Sequence, residues 1–177
     1  VNQIAKDPLR RLDPNAPFLL VVYHPVTTEF GRVAEQAQAI LDSIKALGMQ
    51  VVWLWPNIDA GADDITIAVR HFQLANPDTH LSVFKNFSNE IFINLMRHTA
   101  CLVGNSSSGI RETCYLGTPT VNIGTRQNGR ERGRCVIDAP CDTRAIKEAI
   151  KKQIDHGRYH PEYIYGDGKA GEKIANI

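Results

Sequence analysis

The stretch Cys101–Ile123, CLVGNSSSGIRETCYLGTPTVNI, sets two short apolar runs, CLVG and TPTVNI, on either side of a serine-rich loop and a helix start. Short runs of this kind, rich in β-branched residues, suit strands buried on both faces of a parallel sheet. The pattern repeats outward. FLLVVY, VVWLW and LSVF precede the stretch as further strands, and RCVI is a candidate sixth. Helix patterns fill the gaps between them. Val33, Ala37, Ile40, Leu41, Ile44 and Leu47 recur at three and four, with Gly48 as the stop. A helix is expected over about Asp63–Leu74. Ser88 is placed to cap NEIFINLMRH, whose Ile91, Phe92, Leu95 and Met96 form a stripe, and Thr143–Ile154 spaces Ile146, Ile150 and Ile154 four apart. Strands alternating with helices predict βαβ units in an α/β, doubly wound parallel sheet of about six strands, with ligands beyond the carboxyl ends of the strands.

A chain of 177 residues, 43% of them hydrophobic, is long enough for one such domain and too short for two ordinary ones. Residues 1–17, with Pro8, Pro14, Pro17 and two adjacent arginines, read as a linker, leaving 18–177 as the α/β domain with a carboxy-terminal helical tail. The formal net charge of +1 offers no general attraction for nucleic acid or an acidic membrane, so neither is an expected partner. No apolar run approaches the roughly 20 residues of a membrane helix, and the first residues lack the apolar core of a signal peptide. The expected location is cytoplasmic. Cys101, Cys114, Cys135 and Cys141 form no C-x-x-C pair, which favours reduced structural thiols over a disulfide or a metal site.

Function is expected in the strand-to-helix loops. These read HPVTTEFG, PNIDAG, NSSSGIRE and GTRQNGRERG in chain order. In the serine loop, Gly104 and Gly109 permit close backbone approach to a ligand, and the three serine hydroxyls, with the N–H groups of the following helix, can donate to phosphate oxygens. The loop therefore reads as a pyrophosphate cradle or, equally, as a capped helix start with no ligand. Glu112, in the first helical turn, either complements the helix dipole or accepts from the two hydroxyls of a ribose. Arg126, with Arg130, Arg132 and Arg134, forms the one dense basic cluster. A guanidinium suits phosphate geometry, although such a loop can also be merely solvated. His24 follows the first strand and faces the same crevice, where it can bond a phosphate or move a proton. Asn57 and Asp59 read as turn formers.

Taken together, HPVTTE, PNIDAG, GNSSSGIRE, LGTPTVNIGTRQNGRE and IYGDGKA resemble, in order and spacing, the carboxy-terminal domain of the hydrolysing UDP-N-acetylglucosamine 2-epimerases, enzymes that feed sialic acid synthesis. The resemblance runs from about Phe18 to the end. It implies one half of a glycosyltransferase-B-like two-domain fold, no cofactor, UDP and a UDP-N-acetylhexosamine as ligands, and a homo-oligomeric full enzyme. Carried onto matching positions, it implies that Ser106, Ser107 and Gly109 hold the diphosphate, Glu112 the ribose, and Arg126 a phosphate or its covering loop. His24 would serve the phosphate side of the reacting sugar, with Phe87 and Phe92 near uracil or serving as core. The implied reaction eliminates UDP across C1 and C2 of the sugar and then adds water with inversion at C2. Its general bases are carboxylates of an amino-terminal domain absent from these residues. Glu29, Asp59 and Glu131 have no evident connection with that task. Binding without turnover is therefore expected of this chain. Two other readings remain, the donor-nucleotide domain of a glycosyltransferase and a non-catalytic sugar-nucleotide sensor.

Overall fold

The computed structural model describes Leu12, Asp13 and residues 15–177, so most of the expected linker lies outside the described residues. Six strands, β1 (Phe18–Val22), β2 (Gln50–Leu54), β3 (Leu81–Phe84), β4 (Cys101–Gly104), β5 (Thr120–Ile123) and β6 (Val136–Ala139), make one sheet. Their order is β3-β2-β1-β4-β5-β6, and every neighbouring pair is parallel. The helices are α1 (Val33–Lys45), α2 (Ala62–Ala75), α3 (Asn89–His98), α4 (Glu112–Leu116), α5 (Thr143–His156) and α6 (Ala170–Ala175). The doubly wound sheet expected from the sequence is present. The last strand begins later than RCVI because the Arg134 N–H is already committed to Glu162 Oε2 at 2.6 Å.

The strands bury both faces. Along β1 and just beyond it, Leu19, Val21 and Tyr23 pack with the apolar stripes of α1, α2 and α5, while Phe18, Leu20 and Val22 pack with Leu95 and Met96 of α3. This two-residue alternation across two apolar layers explains the unbroken hydrophobic runs. Side chains cap two of the helices. The Ser88 hydroxyl accepts from the Ile91 N–H at 3.4 Å, and Asp142 Oδ1 accepts from the Ala145 N–H at 2.9 Å. Behind α5 the chain returns over α4, where Tyr159 N–H donates to Gly117 O and Glu162 N–H to Cys114 O, both at 2.9 Å. The helical tail ends in α6, which buries no side chain. Cys114 Sγ and Cys135 Sγ lie 3.6 Å apart as free thiols beneath this return. Among the described residues no helix is long and apolar enough to cross a membrane.

The strand order positions the site. The chain lays β2 and β3 on one side of β1, then returns to place β4 on the other, so the connections after β1 and β4 leave in opposite directions. A crevice opens where they part.

Candidate functional site

A cleft of about 680 Å³ occupies this crevice and extends over β2 and β3. His24, Ser106 and Ser108 line one end, Phe87 and Phe92 line a wall, and Asn57 lies between them in the loop after β2. Sequence-predicted residues from three different segments are therefore brought together. The charged residues that line the cleft are Arg70 and Lys85, and none of the described lining residues is a carboxylate. Such a rim favours an anionic ligand.

His24 is held from several sides. Its backbone N–H donates to Asn105 Oδ1 and its carbonyl accepts from Asn105 Nδ2, each at 2.8 Å. The Asn57 N–H donates to His24 Nδ1 at 3.3 Å, which places the ring proton on Nε2. Burial, reinforced by the positive charge of Arg126 and opposed by Asp59, lowers the His24 pKa to about 4. At neutral pH His24 is thus an uncharged hydrogen-bond donor through Nε2 and not an imidazolium.

The serine loop is tighter than a simple helix start. Ser106 caps a 3₁₀ turn over Ser107–Gly109, its Oγ accepting from the Ser108 N–H at 3.3 Å. A serine hydroxyl that accepts in this way still has its proton to donate outward. Ser107 is half-buried and does not line the cleft; Ser108 does, and the sequence reading had not singled it out. At both glycines the space a side chain would need is filled by protein. At Gly104 (φ +143°) a Cβ would stand 2.6 Å from the carbonyl carbon of Val22 and closer still to its oxygen. At Gly109 a Cβ would meet Leu102 Cδ2 at 3.0 Å and Thr120 Cγ2 at 3.2 Å. Both glycines allow loop and strands to pack closely. The helix that follows, α4, has only five residues, so its dipole is a smaller resource than the sequence implied. Glu112 is its first residue, exposed and outside the cleft lining.

The arginine cluster divides. Arg126 Nη1 donates to Asn105 O at 3.2 Å, beside the Gln127 Nε2 that donates to the same oxygen at 2.7 Å. Arg132 pairs with Asp138 at 3.1 Å and Arg134 with Glu162 at 2.9 Å, both within the protein. Phe87 packs at a tilt on Phe84, ring centroids 4.9 Å apart, and Phe92 packs on the α3 core, and both also line the cleft. Glu29 is tied by Thr125 Oγ1 and by Gln36 Nε2, the latter at 2.5 Å, and the Thr125 bond leads in holding its pKa below the ordinary value. A carboxylate held in this way is a poor general base. Asn57 and Asp59 do form a turn, in which Asp59 N–H donates to Asn57 O at 2.8 Å. That the Asn57 N–H orients His24 had no sequence signal, because a backbone group carries no residue signature. The role of Asn105 was equally hidden. An asparagine after a strand reads as a turn former whether or not it reaches a neighbouring loop.

Comparison with known proteins gives first the class and then the family. The solved UDP-GlcNAc 2-epimerase from Neisseria meningitidis bound to UDP-GlcNAc superposes with a TM-score of 0.72 at 16% identity, over 99% of this chain and 47% of that one. The Escherichia coli ADP-heptose lps heptosyltransferase II gives 0.60 at 14% identity, over 82% of this chain and 49% of that one. The fold is of the glycosyltransferase-B-like type. The family model for UDP-N-acetylglucosamine 2-epimerase matches residues 1–177, and the chain belongs to that family. A relative in Legionella pneumophila, UDP-N,N'-diacetylbacillosamine 2-epimerase (hydrolyzing), is 32% identical over 165 residues, which cover 93% of this chain and 43% of the relative. The chain spans less than half the length of each of these proteins.

Proposed function

We propose that this chain is the UDP-binding half of a hydrolysing UDP-N-acetylhexosamine 2-epimerase and that its cleft holds the nucleoside diphosphate. The observation that carries this reading is the meeting of His24, Ser106 and Ser108 with an aromatic wall at the strand-order switch, in a cleft whose charged lining is cationic. The uridine is assigned to the Phe87 and Phe92 wall, where a base needs an apolar surface. The diphosphate is assigned to the His24 Nε2–H, the Ser106 and Ser108 hydroxyls and the nearby Arg126, and the ribose to Glu112.

In the reaction proposed for the whole enzyme, a base removes the C2 proton, the C1–O bond breaks, and its electrons leave on the diphosphate. Water then adds to the unsaturated sugar, giving the free C2 epimer and UDP. Donors aimed at the diphosphate assist bond breaking because they bind best as negative charge grows there. Residues of this chain fill that role. They do not fill the role of the base, since the donors on Glu29 lower its proton affinity and the described cleft lining contains no carboxylate. The proton-abstracting group is assigned to residues outside these 177, and the chain alone binds without turnover.

Calorimetry on the chain tests the reading. UDP should bind at least about tenfold more tightly than uridine, since a single hydrogen bond to a charged group is worth about 1.5–3 kcal/mol. Equal affinities would refute it. Incubation with UDP-N-acetylglucosamine should release no UDP above the uncatalysed rate, and release by pure protein would show that a base is present here.

A further inference from the structure

We propose that Asn105 is the positioning residue of this cleft, joining the loops after β1, β4 and β5 into one preformed set of donors. The proposal rests on the reading of the cleft as a diphosphate site. The paired register of β1 and β4 ends at Val22 and Gly104, and Asn105 N–H still donates to Val22 O at 3.1 Å. Beyond that point the backbones part to open the crevice. The Asn105 side chain then takes over, receiving the His24 N–H and donating to the His24 carbonyl as a further rung of the ladder would. On its other side the Asn105 carbonyl receives Arg126 Nη1 and Gln127 Nε2 from the loop after β5. Asn105 is fully buried, so these bonds are made away from competing water.

The task selects an amide. One short side chain must offer an acceptor and a donor to the two ends of a single residue's backbone. A carboxylate would set an oxygen against the His24 carbonyl, a serine is too short to span both, and a glutamine adds a methylene to a filled space. With the His24 backbone fixed, its Nδ1 meets the Asn57 N–H and its Nε2 proton is directed outward. Arg126 is drawn to the same anchor, so the neutral donor and the cation are held in mutual register before any ligand arrives. Groups fixed in advance need no reordering on binding, and this is where a buried supporting residue acts on affinity.

The test uses the 177-residue chain with Asn105→Ala, His24→Ala and the double variant, each checked for folding by circular dichroism. In the wild-type background, Asn105→Ala should weaken UDP by about tenfold, the scale of one bond to a charged group, and leave uridine unchanged. In the His24→Ala background the same change should cost markedly less, because a residue acting through His24 has less left to position. An equal loss in both backgrounds would overturn the proposal and leave Asn105 a structural residue. Nitrogen-resolved NMR of the His24 ring gives a readout that does not depend on UDP. Wild-type His24 should show the Nε2-protonated form and titrate near 4, held down first by burial and then by Arg126, against the opposing charge of Asp59. In Asn105→Ala it should titrate nearer to the ordinary 6.5. An unchanged His24 titration would likewise overturn the proposal. Should Asn105→Ala not fold, Asn105→Asp keeps the acceptor for the His24 N–H, lacks the donor, and should weaken UDP in the same direction; undiminished binding would count against us. If wild type binds UDP no better than uridine, the nucleotide reading fails, and the His24 titration still decides what Asn105 does.

Discussion

Gly104→Ala should be among the most damaging single-methyl additions in this protein. The added Cβ would lie 2.6 Å from the Val22 carbonyl carbon and nearer to its oxygen, whereas real Cβ contacts keep at least 3.0 Å. The gap between the ends of β1 and β4 must therefore widen by at least 0.4 Å measured to the carbon. Neither side can yield easily. Val22 O accepts the Asn105 N–H at 3.1 Å, and Val22 itself is buried against α3 and its neighbours. Overpacking of this kind costs about 1–3 kcal/mol. The φ of +143° adds about 1–3 kcal/mol for a residue with a Cβ. Together they predict a loss of roughly 2–6 kcal/mol, and for a domain of this size about 2–4 °C of melting temperature per kcal/mol. Gly124→Ala is the control, because Gly124 also has a positive φ, +71°, but has nothing within 4 Å of its would-be Cβ. Thermal unfolding followed by circular dichroism should show Gly104→Ala melting far below Gly124→Ala. If the two variants melt together, close approach of the strand ends is not what Gly104 provides.

Acid should weaken the fold through His24. Its folded pKa of about 4 lies below the ordinary 6.5, so between those values the unfolded chain binds a proton that the folded chain refuses. The contribution is intact above pH 6.5 and is lost as pH falls toward 4, reaching roughly 3 kcal/mol at 1.36 kcal/mol per unit. Denaturant titrations should show His24→Gln with a shallower decline across that window, and parallel declines would remove His24 as the cause. Ser106→Ala should weaken UDP binding by several-fold or more, while Ser107→Ala should leave it within about twofold, because only the first of these hydroxyls lines the cleft. Comparable losses for the two variants in calorimetry would restore the sequence-based assignment of both serines. Glu112→Gln should lower UDP affinity by about 1–3 kcal/mol if its carboxylate meets the ribose. Unchanged affinity with a lower melting temperature would make Glu112 a support for α4 alone.

The sheet was legible because its strands are buried on both faces. Runs such as FLLVVY and CLVG have no polar interruption and are bounded by loop residues, and the helices between them repeat at three and four. That the strand-to-helix loops converge was legible at the level of residue type, and His24, Ser106, Phe87 and Phe92 do share one cleft. What stayed hidden depends on direction in space. Gly104 and Gly109 were read as making room for a ligand, whereas their missing side chains face Val22, Leu102 and Thr120. A glycine records that something comes close but not what does. Asn105 and Asn57 act through, or upon, backbone groups of a residue 81 and 33 positions away, and no local pattern encodes such a partner.

The electrostatics of the cleft separate two duties that a single charged histidine would combine. Placing an imidazolium at the buried end of β1 would incur the desolvation cost of a charge, and burial accordingly lowers the His24 pKa to about 4. A neutral ring with its proton on Nε2 supplies direction without that cost. The charge is carried by Arg126 in an exposed loop, where a guanidinium keeps much of its water. The Asn105 carbonyl binds that cation close enough for its field to be felt at His24. A negative charge beside His24 would raise its proton affinity, opposing the effect of burial and of Arg126. On the proposed reading of the cleft as a diphosphate site, donors placed in this way bind most tightly to the state with the greatest charge on the ligand.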